Sequence, residues 1–205
     1  LMARLWPVLS GTDAWMWIVG MAGLVTFTFG AYAAMFQRDL KGLLAYSTIS
    51  HLGLITLLLG LNSALACVAA IFHMLNHATF KASLFMAAGI IDHETGTRDL
   101  GRLTGLYRFM PITATLAVVA AAAMAGVPLL NGFLSKEMFF AESLDVQGPF
   151  PWLDPVLPYF VTVAAMFSVA YSARFVYGTF FGPDPTRLPR TPHGPSFRGR
   201  LPMEL

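Results

Sequence analysis

Charged residues and cysteines are both scarce in this sequence of 205 residues. Asp, Glu, Lys and Arg together make up 12% of it, about half the roughly 25% that is usual in soluble domains. So few charges cannot cover a water-facing surface, which argues against a soluble globular protein. The single cysteine, Cys67, excludes an internal disulfide and has no neighbour with which to build a metal site. The net charge of +2 gives no support for nucleic-acid binding.

Apolar residues dominate the chain instead, at 56% of the sequence with a mean hydropathy of +0.63. A membrane-spanning helix needs about 20 apolar residues, and five stretches are long enough: 14–36, 43–61, 64–91, 111–144 and 154–181. We therefore predict an all-α membrane protein, a bundle of five transmembrane helices that occupies residues 14–182 within the lipid bilayer.

The two ends of the chain differ from this apolar region. Residues 1–13 do not form a signal peptide, because Pro7, Gly11 and Asp13 interrupt any apolar core. Residues 183–205 are rich in Pro, Arg and Gly, which indicates a polar tail. The first residue is leucine and the last residues end abruptly, so we expect a truncated piece of a longer polypeptide.

The fourth apolar stretch is longer than one crossing requires, and it contains helix-breaking residues near its middle: Gly126, Pro128, Asn131 and Gly132. A proline inside a helix removes a backbone donor and clashes with the preceding turn. We predict a discontinuous helix whose second half begins near residue 133. Irregular backbone at membrane depth survives only where protein or a wet cavity covers it, and transporters place ion sites at such breaks. A kinked helix without function is the alternative, and it is weakened by the Lys136-Glu137 pair just after the break.

Basic residues divide unequally between the two ends of a five-helix bundle. One side receives nine, Arg38, Lys41, Arg98, Arg102, Arg108, Arg187, Arg190, Arg198 and Arg200, and the other receives Arg4 alone. The positive-inside rule places the side with nine in the cytoplasm. We therefore expect a multi-pass protein of the cell membrane, with an extracytoplasmic segment at residues 1–13 and a cytoplasmic tail.

A polar stripe crosses the third apolar stretch. His73, His77 and Lys81 are spaced four residues apart, so they share a face about 80° wide and rise about 12 Å along the helix. Such residues should face other helices or a file of water, since ionisable groups inside a membrane usually serve function. An imidazole can accept and pass on a proton near neutral pH, and an amine kept from water can release one reversibly. We predict a proton relay formed by Lys136, Lys81, His77 and His73.

Other polar residues receive weaker interpretations. His51 stands alone, and we expect it to hydrogen-bond a neighbouring carbonyl, with an auxiliary role as the alternative. Lys41, also a possible auxiliary group, and Arg174 lie where their side chains can snorkel to the surface. Glu137 could assist Lys136, although adjacent helical residues do not face each other. The His-x₃-His spacing could bind a metal ion, but no carboxylate or cysteine joins it at suitable spacing, so we expect no metal site.

Three motifs in this sequence resemble the antiporter-like membrane subunits, the family of the large membrane subunits of respiratory complex I and of Mrp-type Na⁺/H⁺ antiporters. These motifs lie at residues 39–50, 73–85 and 126–137. Within that family, residues 76–83, 91–100 and 131–140 resemble the Mrp A subunit more than the others. The resemblance extends over nearly all of residues 14–182.

The resemblance implies a fold and roles for particular residues. Such subunits contain two inverted five-helix repeats, each with one discontinuous helix, and this chain looks like the second. The family's positions matching His73, His77 and Lys81 line a central polar axis, and the lysine matching Lys136 is the last proton carrier of an outward half-channel. Nothing here matches the glutamate–lysine pair of the first repeat. Leu129-Leu130 stands where the family often has proline followed by phenylalanine.

The leading functional hypothesis is a component of a secondary antiporter, not an enzyme, in which inward proton flow drives Na⁺ or another monovalent cation outward. The resemblance implies further membrane subunits as partners. The alternative is a proton-pumping, non-redox component of an NADH:quinone oxidoreductase-type complex. A partner in inorganic-carbon uptake and a scaffold whose charges serve only packing also stay open. No cysteine cluster or glycine-rich nucleotide loop is present, so we expect no cofactor.

Overall fold

The computed structural model describes residues 1–146, 154–183, 185 and 188–190, and the regular elements of this described part are all helices. They are α1 (Met2–Leu9), α2 (Asp13–Trp15), a π-helical turn (Met16–Gly20), α3 (Met21–Phe36), α4 (Leu40–Gly60), α5 (Ala64–Thr95), a 3₁₀ turn (Leu106–Arg108), α6 (Pro111–Ala125), α7 (Asn131–Leu144) and α8 (Leu157–Phe180). From α2 to α3 the chain forms one long helix. Each predicted apolar stretch therefore corresponds to a helix or, for the fourth, to a broken pair, with bounds shifted by a few residues.

Three helices of the described region are long and apolar enough, by length and composition alone, to cross a membrane: Asp13–Phe36, Leu40–Gly60 and Leu157–Phe180. The long α5 is less apolar because His73, Asn76, His77 and Lys81 lie near its centre. The fourth crossing is divided between α6 and α7, each too short by itself. The described residues thus form a five-helix bundle whose fourth member is discontinuous, as the sequence predicted.

The helices are arranged as a closed ring. Each packs against its neighbours along the chain, and α8 completes the ring by packing against α3 as well as α6 and α7. Side-chain caps fix where two of the central helices begin: Asp39 accepts a hydrogen bond from the backbone of Gly42 at α4, and Ser63 from that of Ala66 at α5. The middle of the ring is where the helices present their polar side chains to one another.

Glycines allow α3 and α4 to approach almost backbone to backbone, through Gly23, Gly30, Gly53 and Gly60. A β-carbon on Gly53 would lie 2.3 Å from the backbone nitrogen of Phe27, and one on Gly60 would lie 2.4 Å from that of Gly20. Small residues are the usual means of close helix packing in membranes, where the hydrophobic effect does not press helices together. This contact sets α4 close to α3 and fixes the orientation of its opposite face.

One end of the bundle gathers the α3–α4 and α5–α6 connections. Backbone bonds join Leu40 N to the Arg98 carbonyl at 2.8 Å and Leu100 N to the Arg38 carbonyl at 2.9 Å. Arg190 also lies at this end, and its backbone nitrogen donates to the carbonyl of Thr95. The described basic residues of these connections therefore lie together, as the charge count requires. Arg187, Arg198 and Arg200 lie outside the described residues, and the cytoplasmic assignment of this end stays a prediction.

Lys41 belongs to this end and has a defined partner. Its amine lies 2.8 Å from a carboxylate oxygen of Asp92 on α5, and Arg98 lies 3.4 Å from a carboxylate oxygen of Asp39. The interpretation of Lys41 as merely snorkelling was incomplete, because its sequence position could not reveal that the end of α5 would supply a carboxylate.

The α3–α4 contact generates the first prediction. Replacing Gly53 by alanine places a β-carbon against the backbone of Phe27, which should cost about 1–3 kcal/mol through overpacking. The matched control is Gly89→Ala, because nothing lies within 4 Å of a β-carbon at Gly89. We expect the melting temperature of the detergent-solubilised complex to fall by several degrees for Gly53→Ala and to stay unchanged or rise for Gly89→Ala. Equal melting temperatures would contradict the proposed packing.

Candidate functional site

The break in the fourth crossing is built by two glycines. Gly126 ends α6 in the left-handed conformation, with φ +86°, a conformation that glycine adopts without steric cost. A β-carbon on Gly132 would lie 1.8 Å from the carbonyl oxygen of Ala123, so the start of α7 packs directly on the end of α6. Pro128 lies in the irregular segment between the two helices, where no helical hydrogen bond needs its nitrogen. The break thus lies where the sequence predicted it, with α7 starting slightly earlier, at Asn131.

Asn131 connects the start of α7 to α5 through hydrogen bonds. The side-chain amide of Asn76 donates to the Asn131 backbone carbonyl, and the amide of Asn131 donates to the Asn76 side-chain oxygen, each at 3.2 Å. This reciprocal pair gives each of the two side-chain amides a hydrogen-bond partner on the other helix. It also ties α7 to the helix that carries the polar stripe.

Lys136 is buried and its side chain runs back towards the end of α6. Its Nζ donates to the Ala125 carbonyl at 2.9 Å and to Ser168 Oγ on α8 at 3.1 Å. The absence of a side chain on Gly126 makes room for it, because a β-carbon there would lie 2.8 Å from Lys136 Cδ. The last carbonyls of a helix carry partial negative charge, so the end of α6 is a favourable place for an ammonium group.

The polar stripe of α5 faces the interior of the bundle. His73, His77 and Lys81 are all buried, which confirms that they face protein and not lipid. The Lys81 amine donates to Ser47 Oγ and to the Leu44 carbonyl, both on α4. His77 differs from its neighbours, because its Nε2 has no hydrogen-bond partner among the described residues. Its ring centroid lies 5.4 Å from that of His51.

His51 lies at the centre of the site, and its expected partner was wrong. Its two ring nitrogens contact side chains and not a backbone carbonyl: Nδ1 lies 3.0 Å from His73 Nε2, and Nε2 lies 3.1 Å from the hydroxyl of Tyr171. The His51 and His73 rings are stacked with centroids 5.2 Å apart. Sequence alone could not pair His51 with residues 22 and 120 positions away.

Hydroxyl groups extend these contacts in both directions. Tyr171 lies 3.1 Å from Ser168, which contacts Lys136, and His73 Nδ1 lies 2.9 Å from Ser135 Oγ. The result is a continuous hydrogen-bonded chain that leaves α7 at Lys136, crosses α8, α4 and α5, and returns to α7 at Ser135. We call it the central chain: Lys136, Ser168, Tyr171, His51, His73 and Ser135. Our sequence interpretation missed the three hydroxyl residues, although Ser168 and Tyr171, three apart on an apolar helix, are a recognisable polar stripe.

The remaining polar residues of interest lie outside the central chain. Glu137 is exposed at the surface of α7 and makes no pair with Lys136. Arg174 donates to the carbonyl of Met35 at the edge of the bundle. No three His, Cys, Asp or Glu side chains within the described ranges are arranged to hold a metal ion.

Fold and site together define a polytopic membrane protein with a broken helix and an internal chain of hydrogen-bonded polar side chains. The family model described as NADH:quinone oxidoreductase/Mrp antiporter, transmembrane region, matches residues 1–166. The chain therefore belongs to the NADH:quinone oxidoreductase/Mrp antiporter family of membrane proteins.

Curated relatives resemble the chain over most of its length. A probable K⁺/H⁺ antiporter subunit of type A/B from Rhizobium meliloti is 68% identical over 205 residues, which is 100% of this chain and 20% of the relative. A Na⁺/H⁺ antiporter subunit of type A from Bacillus subtilis is 43% identical, over 94% of this chain and 26% of the relative. The resemblance to the type A subunits of such antiporters is thereby confirmed, and the chain spans about a fifth to a quarter of these relatives.

Solved structures share the fold. A chain of the Mrp complex from Dietzia sp. DQ12-45-1b matches with a TM-score of 0.86 and 43% identity, over 100% of this chain and 22% of that chain. A chain of the membrane-bound sulfane sulfur reductase, an archaeal respiratory membrane complex, matches with a TM-score of 0.81 and 30% identity, over 97% of this chain and 31% of that chain. The same five-helix arrangement therefore occurs in an Mrp complex and in a respiratory complex.

The helix break yields the second prediction. Gly126→Ala forces a side chain into the left-handed conformation, at about 1–2 kcal/mol, and pushes it against the stem of Lys136. We expect a lower melting temperature of the solubilised complex than for Gly178→Ala, because nothing lies within 4 Å of a β-carbon at Gly178. If the two variants melted together, Gly126 would not be required by its backbone conformation.

Proposed function

We propose that this chain is the proton-conducting part of a multi-subunit monovalent cation/H⁺ antiporter in the cell membrane. Protons pass through buried groups that include Lys136, Lys81, His77 and His73. Inward proton flow supplies the free energy that drives the cation outward. Further membrane subunits complete the antiporter, since both curated relatives are named as subunits, and each relative is itself about four to five times as long as the matched region.

The observation that carries this proposal is the continuity of the central chain. Buried polar groups are normally satisfied by the nearest backbone, but here imidazoles bond to imidazole and hydroxyl groups of other helices. A chain of groups that both donate and accept hydrogen bonds is what successive proton transfer requires. Its end at Lys136, directly after the helix break, supports a role in transport, because broken helices form the ion sites of many transporters.

Lys136 supplies an electrostatic switch. As an ammonium ion it is held by the Ala125 carbonyl and by Ser168; as a neutral amine it loses most of that attraction. Each proton that arrives or leaves also changes the field at the neighbouring imidazoles. This mutual influence is how proton movement in this chain would couple to events elsewhere in the complex.

His77 lies between Lys81 and the histidines of the central chain, with its ring centroid 5.4 Å from that of His51 and 6.4 Å from that of His73. Lys81 is satisfied by α4, whereas His77 Nε2 is buried and lacks a partner in the described part of the chain. A proton moving between Lys81 and His51 or His73 therefore needs His77 to turn or a water molecule to enter. We propose that this step is the point at which conduction is opened or closed.

The transported cation is a monovalent ion of the Na⁺/K⁺ pair. The relative that is 68% identical is named for K⁺, and the Bacillus relative for Na⁺. The Na⁺ expectation from sequence is therefore widened to include K⁺. As a second candidate function, the 30% identity to a respiratory complex supports proton pumping driven by redox chemistry in other subunits.

The third prediction concerns removal of the Lys136 amine, which lies just after the helix break. Lys136→Ala in the complete complex should lower cation-dependent proton flux in membrane vesicles by about 100-fold or more, the scale of a lost proton-transfer group. The matched control is Arg102→Ala, because Arg102 is an exposed cation whose ion pair among the described residues is with the exposed carboxylate of Asp99. We expect Arg102→Ala to keep the normal rate, and full flux in an assembled Lys136→Ala complex would refute the relay.

The driving force and the cation give a fourth prediction. Adding KCl or NaCl to vesicles that maintain a proton gradient should dissipate the gradient through this complex, with K⁺ at least as effective as Na⁺. The assay compares vesicles with and without the complex by the fluorescence of a pH-sensitive dye. If neither cation dissipated the gradient, and proton uptake into the vesicles instead required the reduction of a quinone, the respiratory alternative would be favoured.

A further inference from the structure

The route from Lys136 to the histidines runs through two hydroxyl groups on α8. Ser168 Oγ lies 3.1 Å from Lys136 Nζ and 3.1 Å from the Tyr171 hydroxyl, which lies 3.1 Å from His51 Nε2. Both residues are buried, with side chains at most 1% exposed. Among the described residues, the Lys136 amine hydrogen-bonds the Ala125 carbonyl and Ser168 and no imidazole.

The direct space between Lys136 and His51 offers no alternative route. The void there is too small for a water molecule, and the described side chains that line it include Phe27, Leu54 and Phe139. Apolar walls of this kind neither hold water nor pass protons. The detour through α8 is therefore the only hydrogen-bonded connection that the described residues provide between this amine and His51.

We propose that Tyr171 and Ser168 are proton-transfer residues that connect Lys136 with His51. This inference rests on the proposed function, since it concerns how protons move within the same relay. It adds an obligatory lateral step through α8, a helix in which our sequence interpretation found no relay residue.

The hydrogen-bond roles along the central chain are linked to one another. If Ser135 donates to the Gly132 carbonyl, 3.1 Å away, His73 Nδ1 donates to Ser135, and His73 Nε2 must accept from His51 Nδ1. His51 Nε2 then accepts from Tyr171, which accepts from Ser168. The opposite arrangement, with Tyr171 donating to Ser168, reverses every bond as far as Ser135. The chain therefore has two polarities, and hydroxyl rotation with imidazole tautomerism interconverts them.

In the first polarity, where Ser168 donates to Tyr171 and Tyr171 donates to His51, a proton can pass from Lys136 to His51 with every bond accounted for. The Lys136 ammonium gives a proton to Ser168 Oγ while the Ser168 hydroxyl proton moves to Tyr171 and the Tyr171 proton moves to His51 Nε2. Three bonds to hydrogen break and three form. Lys136 ends as a neutral amine and His51 as an imidazolium, with both hydroxyl groups restored, and the chain is left in its second polarity between Lys136 and His51.

The test removes one hydroxyl at a time in the complete complex. Tyr171→Phe keeps the ring and its packing, and Ser168→Ala leaves a small side chain. Each should lower cation-dependent proton flux about tenfold or more, with normal amounts of assembled complex. The control is Ser172→Ala, one turn further along α8, because Ser172 is equally buried but, among the described residues, its hydroxyl bonds only the Ser168 carbonyl of its own helix. We expect the control to keep the normal rate, and Ser168→Thr, which retains a hydroxyl, to recover most of it.

The outcomes separate this step from the wider proposal. If Lys136→Ala is inactive but Tyr171→Phe or Ser168→Ala is fully active, the lateral step is wrong and the relay stands. If Lys136→Ala is itself fully active, the proposed function fails. A Tyr171→Phe rate that falls only in proportion to a loss of assembled complex would show a structural hydroxyl and would also overturn the inference.

Discussion

The need to satisfy amines and imidazoles away from water is the constraint on which this structure depends. In lipid, an unpaired polar group costs several kcal/mol, so the buried side chains of α4, α5, α7 and α8 must find partners in one another. The ring arrangement of the helices brings these faces together around His51. The polar interior is therefore a condition of stability as well as a candidate path for protons.

Close packing of the helix backbones keeps this polar interior narrow. The glycines between α3 and α4, and those at the two sides of the helix break, remove side-chain volume where helices approach. Because Gly126 has no side chain, the stem of Lys136 can cross it, and the Lys136 amine reaches the carbonyl end of α6. Stability and the proposed transport function thus depend on the same few positions without side chains, and substitution at these positions affects both.

Relatives of two kinds share this five-helix unit. An Mrp complex and a respiratory complex both contain chains that match it, with TM-scores of 0.86 and 0.81, so the fold of the unit does not by itself specify what each complex does.

Sequence by itself determined the membrane class, the five crossings, the broken fourth helix and the stripe of His73, His77 and Lys81, because these follow from apolar length, helix breakers and a four-residue spacing. The motifs of α4, α5 and α7 also sufficed to indicate the family. Only the tertiary structure decided that His51 joins the stripe, that Tyr171 and Ser168 connect it to Lys136, and that Lys41 pairs with Asp92. Those contacts join residues far apart in the chain, and no local pattern specifies which faces of separate helices will meet.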